Sequence, residues 1–233
     1  MFAVVIPTLN NEATLVETLA ALVPASAEGI VREVVVADAG SCDMTETIAE
    51  AAGCRWIAAE GPRGARLQAG AGAVRRGEWL LFLEPDTVLD PGWYREVSKF
   101  VERVERTGRG DRQAACFRAA NDELGIKARV AEGISWLRCR ILGVGHARQG
   151  LLLSRRFYAR LGGHDPASPL AEAELMRRIG RRHLSHLPIR AVRRSGPQAE
   201  TSSGGFRHAV GVMLFFLRLP GALVGRFVDP SSR

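Results

Sequence analysis

Short apolar runs alternate with helical segments through the first 83 residues, and this alternation constrains the fold more than any other feature. The runs at 2–6, 31–37, 55–58 and 79–83 have the length and the β-branched or aromatic content of buried strands. Strands that alternate with helices form parallel sheets, in which each helix crosses over from one strand to the next. The sequence therefore predicts an α/β fold.

The second half of the chain is less regular. Its patterns predict strands at 114–119 and in "GLLLSRR", and helices at 91–106, at 122–142, in "RRFYARLGG" and at 170–182. The 233 residues suit one α/β domain or two small ones. We expect one domain over 1–195 and an apolar helical tail over 196–233. The segment 206–228 fits a packed helix, an oligomer contact or an amphipathic element in the plane of a membrane.

The formal charge of +7 comes almost wholly from arginine. Such a charge is typical of proteins that bind nucleic acid, an anionic membrane or an anionic substrate, but a GC-rich genome also favours arginine codons. We expect no nucleic-acid binding, because no sequence signature of a nucleic-acid module is present. The four cysteines lack metal-ligand spacing, and neither a signal peptide nor an apolar run of 18 residues is found. These features predict a cytoplasmic protein with reduced thiols.

Polar clusters follow three of the predicted strands, at the points where those strands end. They are "PTLNNE" after the first strand, "DAGSCD" after the second and "EPDT" after the fourth. Ligands of parallel α/β sheets bind beyond the carboxyl ends of the strands. Each cluster alone is a weak signal, because turns favour Asp, Asn and Gly. Their order and spacing together indicate one binding site.

The segments "VVIPTLNNEATL", "VVVADAGSCDMT" and "GPRGARLQAGAGAVRRGEWLLFLEPDT" together resemble the family 2 inverting glycosyltransferases, most closely the small stand-alone bacterial members. The resemblance continues more loosely through "RQGLLLSRRFYARLGG" and "LAEAELMRRI" and covers roughly residues 1–195. It implies a GT-A fold, a Rossmann-like and mainly parallel sheet flanked by helices. It also implies a nucleotide-diphosphate sugar as donor, linked to UDP or GDP, and an acceptor of a kind that is often lipid-linked.

The resemblance places Pro7, Thr8 and Glu12 near the base and ribose of the donor, and it makes Asp38 a hydrogen-bond acceptor for the base. Buried acceptors that face base N–H groups give selectivity. For Glu12 the alternative is a first-turn carboxylate that the helix dipole stabilises. For Asp38 the alternative is an ordinary turn residue, and Asp43 is expected to cap a helix together with Glu46.

"EPD" resembles the Asp-x-Asp motif of the family, which makes Asp86 the expected ligand of Mg²⁺ or Mn²⁺ and places Glu84 beside the metal or the donor sugar. A hard divalent cation neutralises the charge that develops on a diphosphate leaving group. The alternative is that the strand simply ends at the protein surface and Asp86 caps the turn there. Arg63, Arg66 and Gln68 lie where the family binds the donor phosphates, with a solvated helix face as the alternative for Arg66.

An inverting transfer needs a general base, which the family carries on a Glu-Asp pair after a Gly-Gly turn. In register, that pair becomes Ala171 and Glu172, so the resemblance makes Glu172 the base. The alternatives are Glu174, Asp165 or an inactive protein. Both glutamates also fit a helix surface on which they pair with arginines at 177 and 178.

"HARQG" at 146–150 matches an acceptor-side loop of the family at Gln149, whereas Arg148 replaces an acidic residue and His146 is expected to be structural. Arg193 and Arg194 fall near a basic loop that closes over the diphosphate in relatives. The resemblance favours a metal-dependent inverting glycosyltransferase. The departures at 148 and 171 keep open a degenerate relative that binds nucleotide or a partner protein. A nucleotidyltransferase ranks third, because no glycine-rich loop with a lysine follows the first strand.

Overall fold

The computed structural model describes residues 1–121, 150–168 and 170–194. Within them, eight strands form one sheet in the order β3-β2-β1-β4-β7-β6-β8-β5. The strands are β1 (Phe2–Thr8), β2 (Val31–Asp38), β3 (Arg55–Ala58), β4 (Trp79–Phe82), β5 (Thr87–Leu89), β6 (Ala114–Asn121), β7 (Leu151–Ser154) and β8 (Leu184–Arg193). The helices are α1 (Glu12–Ala20), α2 (Val23–Ala27), α3 (Thr45–Ala51), α4 (Arg63–Ala73), α5 (Trp93–Arg106), α6 (Arg155–Arg160) and α7 (Ala171–Ile179), and a 3₁₀ turn follows at Arg181–His183.

Strand β1 lies in the middle of the parallel part of the sheet, between β2 and β4. All seven of its residues are buried, which explains why its sequence is a continuous apolar run rather than an alternating one. The predicted strands of the first 83 residues are all found, with β1 ending at Thr8 and β2 ending at Asp38. Both polar residues are therefore the last residues of buried strands.

Apolar side chains cover both faces of the sheet. On one face Leu15 of α1 and Phe100 of α5 pack with Trp79, whose ring meets that of Phe100 at 79° with centroids 6.1 Å apart. On the other face Leu67 of α4 and Leu175 of α7 pack on the sheet. The predicted α/β architecture with helices on both faces is confirmed.

The second half of the sheet is mixed rather than wholly parallel. Strand β7 runs antiparallel to both β4 and β6, β8 is parallel to β6, and β5 is antiparallel to β8. The sequence patterns missed β5, β8 and the short helix α2. In β8, Leu187, Ile189 and Ala191 are buried and alternate with exposed residues, but Pro188 argued against a strand. The register with β6 shifts around Pro188, so a bulge accommodates the missing N–H.

Several predictions fall on residues that the structure leaves out of the description. They are the helix at 122–142, the loop with His146, Arg148 and Gln149, and the tail at 196–233 with its apolar segment 206–228. In the described part of the chain no helix is both long enough and apolar enough to cross a membrane.

The strand directions bring distant residues to one edge of the sheet. Because β4 and β8 run in the same direction as β1 and β2, the carboxyl ends of all four strands meet there. Thr8, Asp38 and Arg193 are the last residues of β1, β2 and β8, and "EPD" follows β4 after one further residue. The three polar clusters predicted from the sequence therefore share one edge.

Candidate active site

Asp38 is the most deeply buried acid at this edge, with 1% of its surface exposed. Its Oδ1 accepts hydrogen bonds from the hydroxyls of Thr8 (2.7 Å) and Ser41 (2.6 Å), and its Oδ2 accepts from the N–H groups of Gly40 (3.0 Å) and Ser41 (2.7 Å). Burial opposes ionisation, but the bonds from Ser41, Thr8 and Gly40 outweigh it and lower the pKa of Asp38 below its usual 3.8. Asp38 is thus an ionised anchor for the loop after β2.

Arg66 of α4 reaches the end of β1, where its Nη1 donates to the carbonyl oxygen of Thr8 at 2.8 Å. Burial and the neighbouring cation of Arg63 lower the pKa of Arg66 below its usual value. Pro7 is buried inside β1, whereas Gln68 is exposed on α4. The structure therefore brings Arg66 and Thr8 together and leaves Gln68 on the solvent side of the helix.

Glu12 and Asp43 exchange capping hydrogen bonds between two helices. Glu12 is the first residue of α1, and Asp43 lies just before α3. The N–H of Glu12 donates to Asp43 Oδ2 (3.1 Å), and the N–H of Met44 donates to Glu12 Oε2 (2.9 Å). Asp43 Oδ1 also accepts from the N–H of Thr45 at 3.0 Å. Asp43 therefore caps α3 as predicted. The second capping carboxylate, expected from Glu46, comes instead from Glu12 of α1. The bonds join the loops after β1 and β2.

Arg63, the first residue of α4, links two carboxylates from different parts of the chain. Its Nε and Nη2 donate to the two oxygens of Glu172, each at 2.9 Å, and its Nη1 donates to Glu84 Oε2 at 2.8 Å. Nη2 also contacts Glu84 Oε1. Although burial opposes the charge, Glu172 and Glu84 raise the pKa of Arg63. The side chains are 34% (Arg63), 11% (Glu84) and 16% (Glu172) exposed, so solvent screens this bridge only partly.

Asp86 follows the same strand end and also carries an arginine partner. Nε of Arg193 lies 2.8 Å from Asp86 Oδ2, and the N–H of Arg194 donates to the carbonyl oxygen of Asp86 at 2.8 Å. The hydroxyl of Thr18 in α1 holds the turn by donating to the carbonyl oxygen of Pro85 at 2.9 Å. A cation therefore already sits against the residue predicted to bind a metal ion.

Close packing between α4 and α7 brings Arg63 and Glu172 together. A Cβ atom built on Gly64 overlaps the carbonyl oxygen of Asp165 and lies 2.7 Å from the Cβ of Ala171. Ala171 is 4% exposed. A carboxylate at position 171 has no room against Gly64, so the acid that faces the site from the start of α7 is Glu172.

The other acids considered for the role of base make local bonds. Glu174 Oε1 accepts from the hydroxyl of Ser168 (2.9 Å), and Asp165 Oδ1 accepts from the N–H of Ala167 (2.9 Å). Arg178 donates to backbone carbonyl oxygens, among them that of residue 163 at 2.6 Å. Glu172 is therefore the acid of this group that reaches the strand-end residues, through Arg63.

His164 lies behind the ion pairs and was missed by the sequence reasoning. It follows the Gly-Gly turn at 162–163, is 1% exposed, and places Nδ1 2.9 Å from the hydroxyl of Tyr158. Its ring meets Phe82 edge-on, with centroids 4.8 Å apart. Burial lowers the pKa of His164 to about 4, so the ring is neutral at pH 7. The turn was the available signal, but nothing local to it indicated the burial of the histidine.

The carboxylates at this edge suit a hard cation that a diphosphate helps to hold. Within the described ranges no three His, Cys, Asp or Glu side chains group as a complete metal cage. Mg²⁺ commonly binds through one or two carboxylates plus the phosphates of a substrate, and keeps several waters. Asp86 offers such a carboxylate, and the position of Arg193 shows that positive charge is stabilised there, whereas both oxygens of the neighbouring Glu84 contact Arg63. The residues present fit this mode of binding.

The comparisons with known proteins agree with this geometry. The model of the family described as "Glycosyl transferase family 2" matches residues 3–124, just over half of the chain. The chain belongs to glycosyl transferase family 2. A search of curated proteins finds no significant match. The matched residues of this family 2 glycosyltransferase include the strand ends with Thr8, Asp38, Glu84 and Asp86, whereas Glu172 lies outside them.

Solved structures of glucosyl-3-phosphoglycerate synthase from Mycobacterium tuberculosis have the same fold. The complex with Mn²⁺ and UDP-glucose is 21% identical with a TM-score of 0.63, and 94% of this chain aligns with 80% of that one. The complex with Mn²⁺, UDP and glucosyl-3-phosphoglycerate is 20% identical with a TM-score of 0.61, and 94% of this chain aligns with 81% of that one. The complex with Mg²⁺ and UDP is 21% identical with a TM-score of 0.62, and 94% of this chain aligns with 80% of that one. At this identity the likeness establishes the GT-A-like fold of the family 2 glycosyltransferase.

Proposed function

We propose that this chain is a metal-dependent inverting glycosyltransferase that moves a sugar from a nucleoside-diphosphate donor to an acceptor hydroxyl. The observation that carries the proposal is the convergence of Asp38, Asp86 and Glu172 at one edge of the sheet, with Arg63 linking Glu172 to the strand end that carries Asp86. Three acids in separate environments match the three tasks of holding the base, holding the metal and removing a proton.

The donor we propose is a UDP-sugar, with its base near Asp38 and Thr8. The structural relative from M. tuberculosis binds UDP-glucose, which supports this choice over GDP. The four hydrogen bonds that Asp38 accepts fill its ordinary capacity. A base N–H therefore reaches Asp38 by replacing the hydroxyl of Ser41 or of Thr8, either of which can rotate away. Pro7 near the end of β1 and Glu12 at the start of α1 flank the loop between them, and we place both beside the base and ribose.

Glu172 acts as the general base in the proposed reaction. It accepts the proton of the acceptor hydroxyl, while the acceptor oxygen forms a bond to the anomeric carbon of the sugar. The bond from that carbon to the diphosphate oxygen breaks, and its electron pair leaves with the nucleoside diphosphate. A divalent cation held by Asp86, with Glu84 nearby, supplies neutralisation of the leaving phosphates when bound. Arg66 and Arg193 are the cationic side chains that we place beside those phosphates.

The assignment of residues 1–195 as the catalytic domain and 196–233 as a tail stays part of the proposal. We place the apolar segment 206–228 against the cytoplasmic face of a membrane, where a lipid-linked acceptor would lie. The support is the pattern of apolar residues with arginines at intervals in the sequence.

A degenerate glycosyltransferase that binds nucleotide or a partner protein is the second candidate. The observation that favours it is the bridge itself, because Arg63 donates to both oxygens of Glu172 and competes with any acceptor hydroxyl for them. This candidate predicts nucleotide binding without turnover.

Release of UDP from UDP-glucose with Mn²⁺ tests the proposal, using water, phosphoglyceric acid and lipid-linked alcohols as acceptors. We expect the wild type to release UDP and Glu172→Gln to lose at least about 10³-fold in kcat, because the base is absent. Glu174→Gln, two residues along the same helix, is the matched control and keeps activity. Tight UDP binding by a wild type that turns over no donor would instead identify the degenerate relative.

A further inference from the structure

The guanidinium of Arg63 lies between the carboxylates of Glu84 and Glu172 and contacts both. Its four contacts go to Glu84, which is 21 positions away along the chain, and to Glu172, which is 109 positions away. A planar guanidinium can bind two carboxylates side by side, whereas a lysine ammonium is a single point of charge. The contacts therefore fix the orientation of the Glu84 and Glu172 carboxylates in addition to neutralising their charge.

The backbone around Arg63 is held by packing that leaves little freedom. Gly64 lies directly against the carbonyl of Asp165 and the methyl group of Ala171. This contact fixes the distance between the start of α4 and the start of α7. Glu172 is the next residue after Ala171. The orientation of its side chain then depends on what holds the carboxylate, and Arg63 holds both of its oxygens.

We propose that Arg63 is the positioning residue for Glu172, and that Glu84 serves it by holding the other edge of the guanidinium. This inference rests on the proposed function, in which Glu172 is the base. A carboxylate oxygen can accept more than one hydrogen bond, so an oxygen of Glu172 bound to Arg63 can still accept a proton from an acceptor. Misplacement of a reacting group by about 1 Å can cost about 10²-fold in rate. Glu84 acts through Arg63, and the metal ion falls to Asp86.

The test uses the variants Arg63→Lys, Arg63→Gln, Glu84→Gln and the double variant Arg63→Gln with Glu84→Gln. The readouts are kcat and KM for UDP release from UDP-glucose, and the Kd of UDP by calorimetry, all with Mn²⁺. We expect both Arg63 variants to lose about 30- to 100-fold in kcat, with KM and Kd within about threefold of the wild type, because the base is misplaced while the donor site is intact. Glu84→Gln should lose less.

The double variant and a control complete the design. If Glu84 acts through Arg63, adding Glu84→Gln to Arg63→Gln costs no more than about another twofold in kcat. Arg55→Lys is the matched control, because Arg55 also pairs with a glutamate of another strand, Glu33, at 3.3 Å and with 25% of its side chain exposed. It should behave as the wild type.

Three results would overturn the inference while leaving the proposed function intact. The first is an Arg63→Lys kcat within threefold of the wild type, since charge alone would then suffice. The second is a loss confined to KM and to the Kd of UDP, which would make Arg63 a ligand of the donor phosphates. The third is multiplication of the two single losses in the double variant. Absence of turnover by the wild type would contradict the proposed function itself.

Discussion

At the edge of the sheet where the carboxyl ends of β1, β2, β4 and β8 meet, two regions hold their acidic side chains in different ways. In the first, which we call the hydrogen-bonded loops, hydroxyl and backbone N–H groups hold the carboxylates. In the second, the ion-pair cluster, arginines from distant elements hold them. The loops comprise Thr8, Glu12, Asp38, Ser41 and Asp43. The cluster comprises Arg63, Glu84, Asp86, Glu172 and Arg193.

The difference indicates which region is preformed and which region exchanges partners with a ligand. Backbone N–H groups hold the Asp38 carboxylate from within its own loop, so base binding as proposed replaces only the hydroxyl of Thr8 or of Ser41. An arginine on a carboxylate can instead move to a phosphate when a cation takes its place on the acid. We infer that the loops form a largely preformed receptor for the base, and that in the cluster Arg193 leaves Asp86 for the diphosphate while Arg63 stays on Glu172.

The largest effect is expected from Gly64→Ala, which breaks the packing behind the ion-pair cluster. The added methyl group overlaps the backbone carbonyl of Asp165, so α4 and α7 must separate. We expect a loss of about 3 kcal/mol in the free energy of unfolding, at the upper end for overpacking, and loss of UDP release. Urea titration measures the former. Gly72→Ala, on the same helix with open space around it, is the control, and equal stabilities of the two variants would refute the packing.

The pH dependence of the free energy of unfolding tests the burial of His164, which packs behind the ion-pair cluster. Its folded pKa of about 4 is below the unfolded value of 6.5, so the unfolded chain takes up a proton first as the pH falls. Stability is thus unaffected above pH 6.5 and falls between pH 6.5 and 4, by about 3 kcal/mol in total.

Urea titrations from pH 8 to 4 measure this slope. His164→Gln should flatten it over that window, whereas His183→Gln, at an exposed position, should leave the slope as in the wild type. A wild-type slope unchanged by His164→Gln would show that another group titrates.

Asp38→Asn breaks the hydrogen-bonded loops. The amide cannot accept all four bonds, because its nitrogen is a donor that faces other donors. We expect about 2 kcal/mol less stability and at least about tenfold weaker UDP binding. Because the folded pKa of Asp38 lies below 3.8, its contribution is present above the unfolded pKa and is lost as the pH falls through the folded value. Thermal unfolding and calorimetry at pH 7 measure both effects, and wild-type values for both would exclude an anchoring role.

The smallest effect on stability is expected from Arg193→Gln. The pair with Asp86 leaves 43% of the arginine side chain exposed, so its loss should change the free energy of unfolding by less than about 1 kcal/mol. UDP affinity with Mn²⁺ should still fall by about tenfold if Arg193 moves to the phosphates. Destabilisation as large as that of Asp38→Asn would show that this pair is structural and does not exchange.

The strands of the first half and the acids at their ends could be predicted because each depends on a local pattern. Asp38 directly follows one apolar run and Asp86 comes three residues after another, and a parallel sheet brings the ends of such runs to one edge. Strand β8 was missed because Pro188 interrupts a pattern that otherwise alternates, and a bulge accommodates it.

The contact between Arg63 and Glu172 has no local signal. It depends on how α4 and α7 pack, through a glycine and an alanine that look unremarkable in the sequence. The exchange of capping partners between Glu12 and Asp43 likewise joins two loops that are about 30 residues apart. Contacts of this kind require the three-dimensional structure.

The proposed use of a metal and a nucleotide is tested most directly by calorimetric titration of UDP and of GDP into the purified protein, with Mn²⁺ or with EDTA. Asp86→Asn is the test variant, and Asp90→Asn, four residues further along and outside the cluster, is its control. We predict UDP binding that requires Mn²⁺, persists in Asp90→Asn and weakens by at least about 100-fold in Asp86→Asn. Failure of the folded wild type to bind either nucleotide would contradict the assignment of this edge as a donor site.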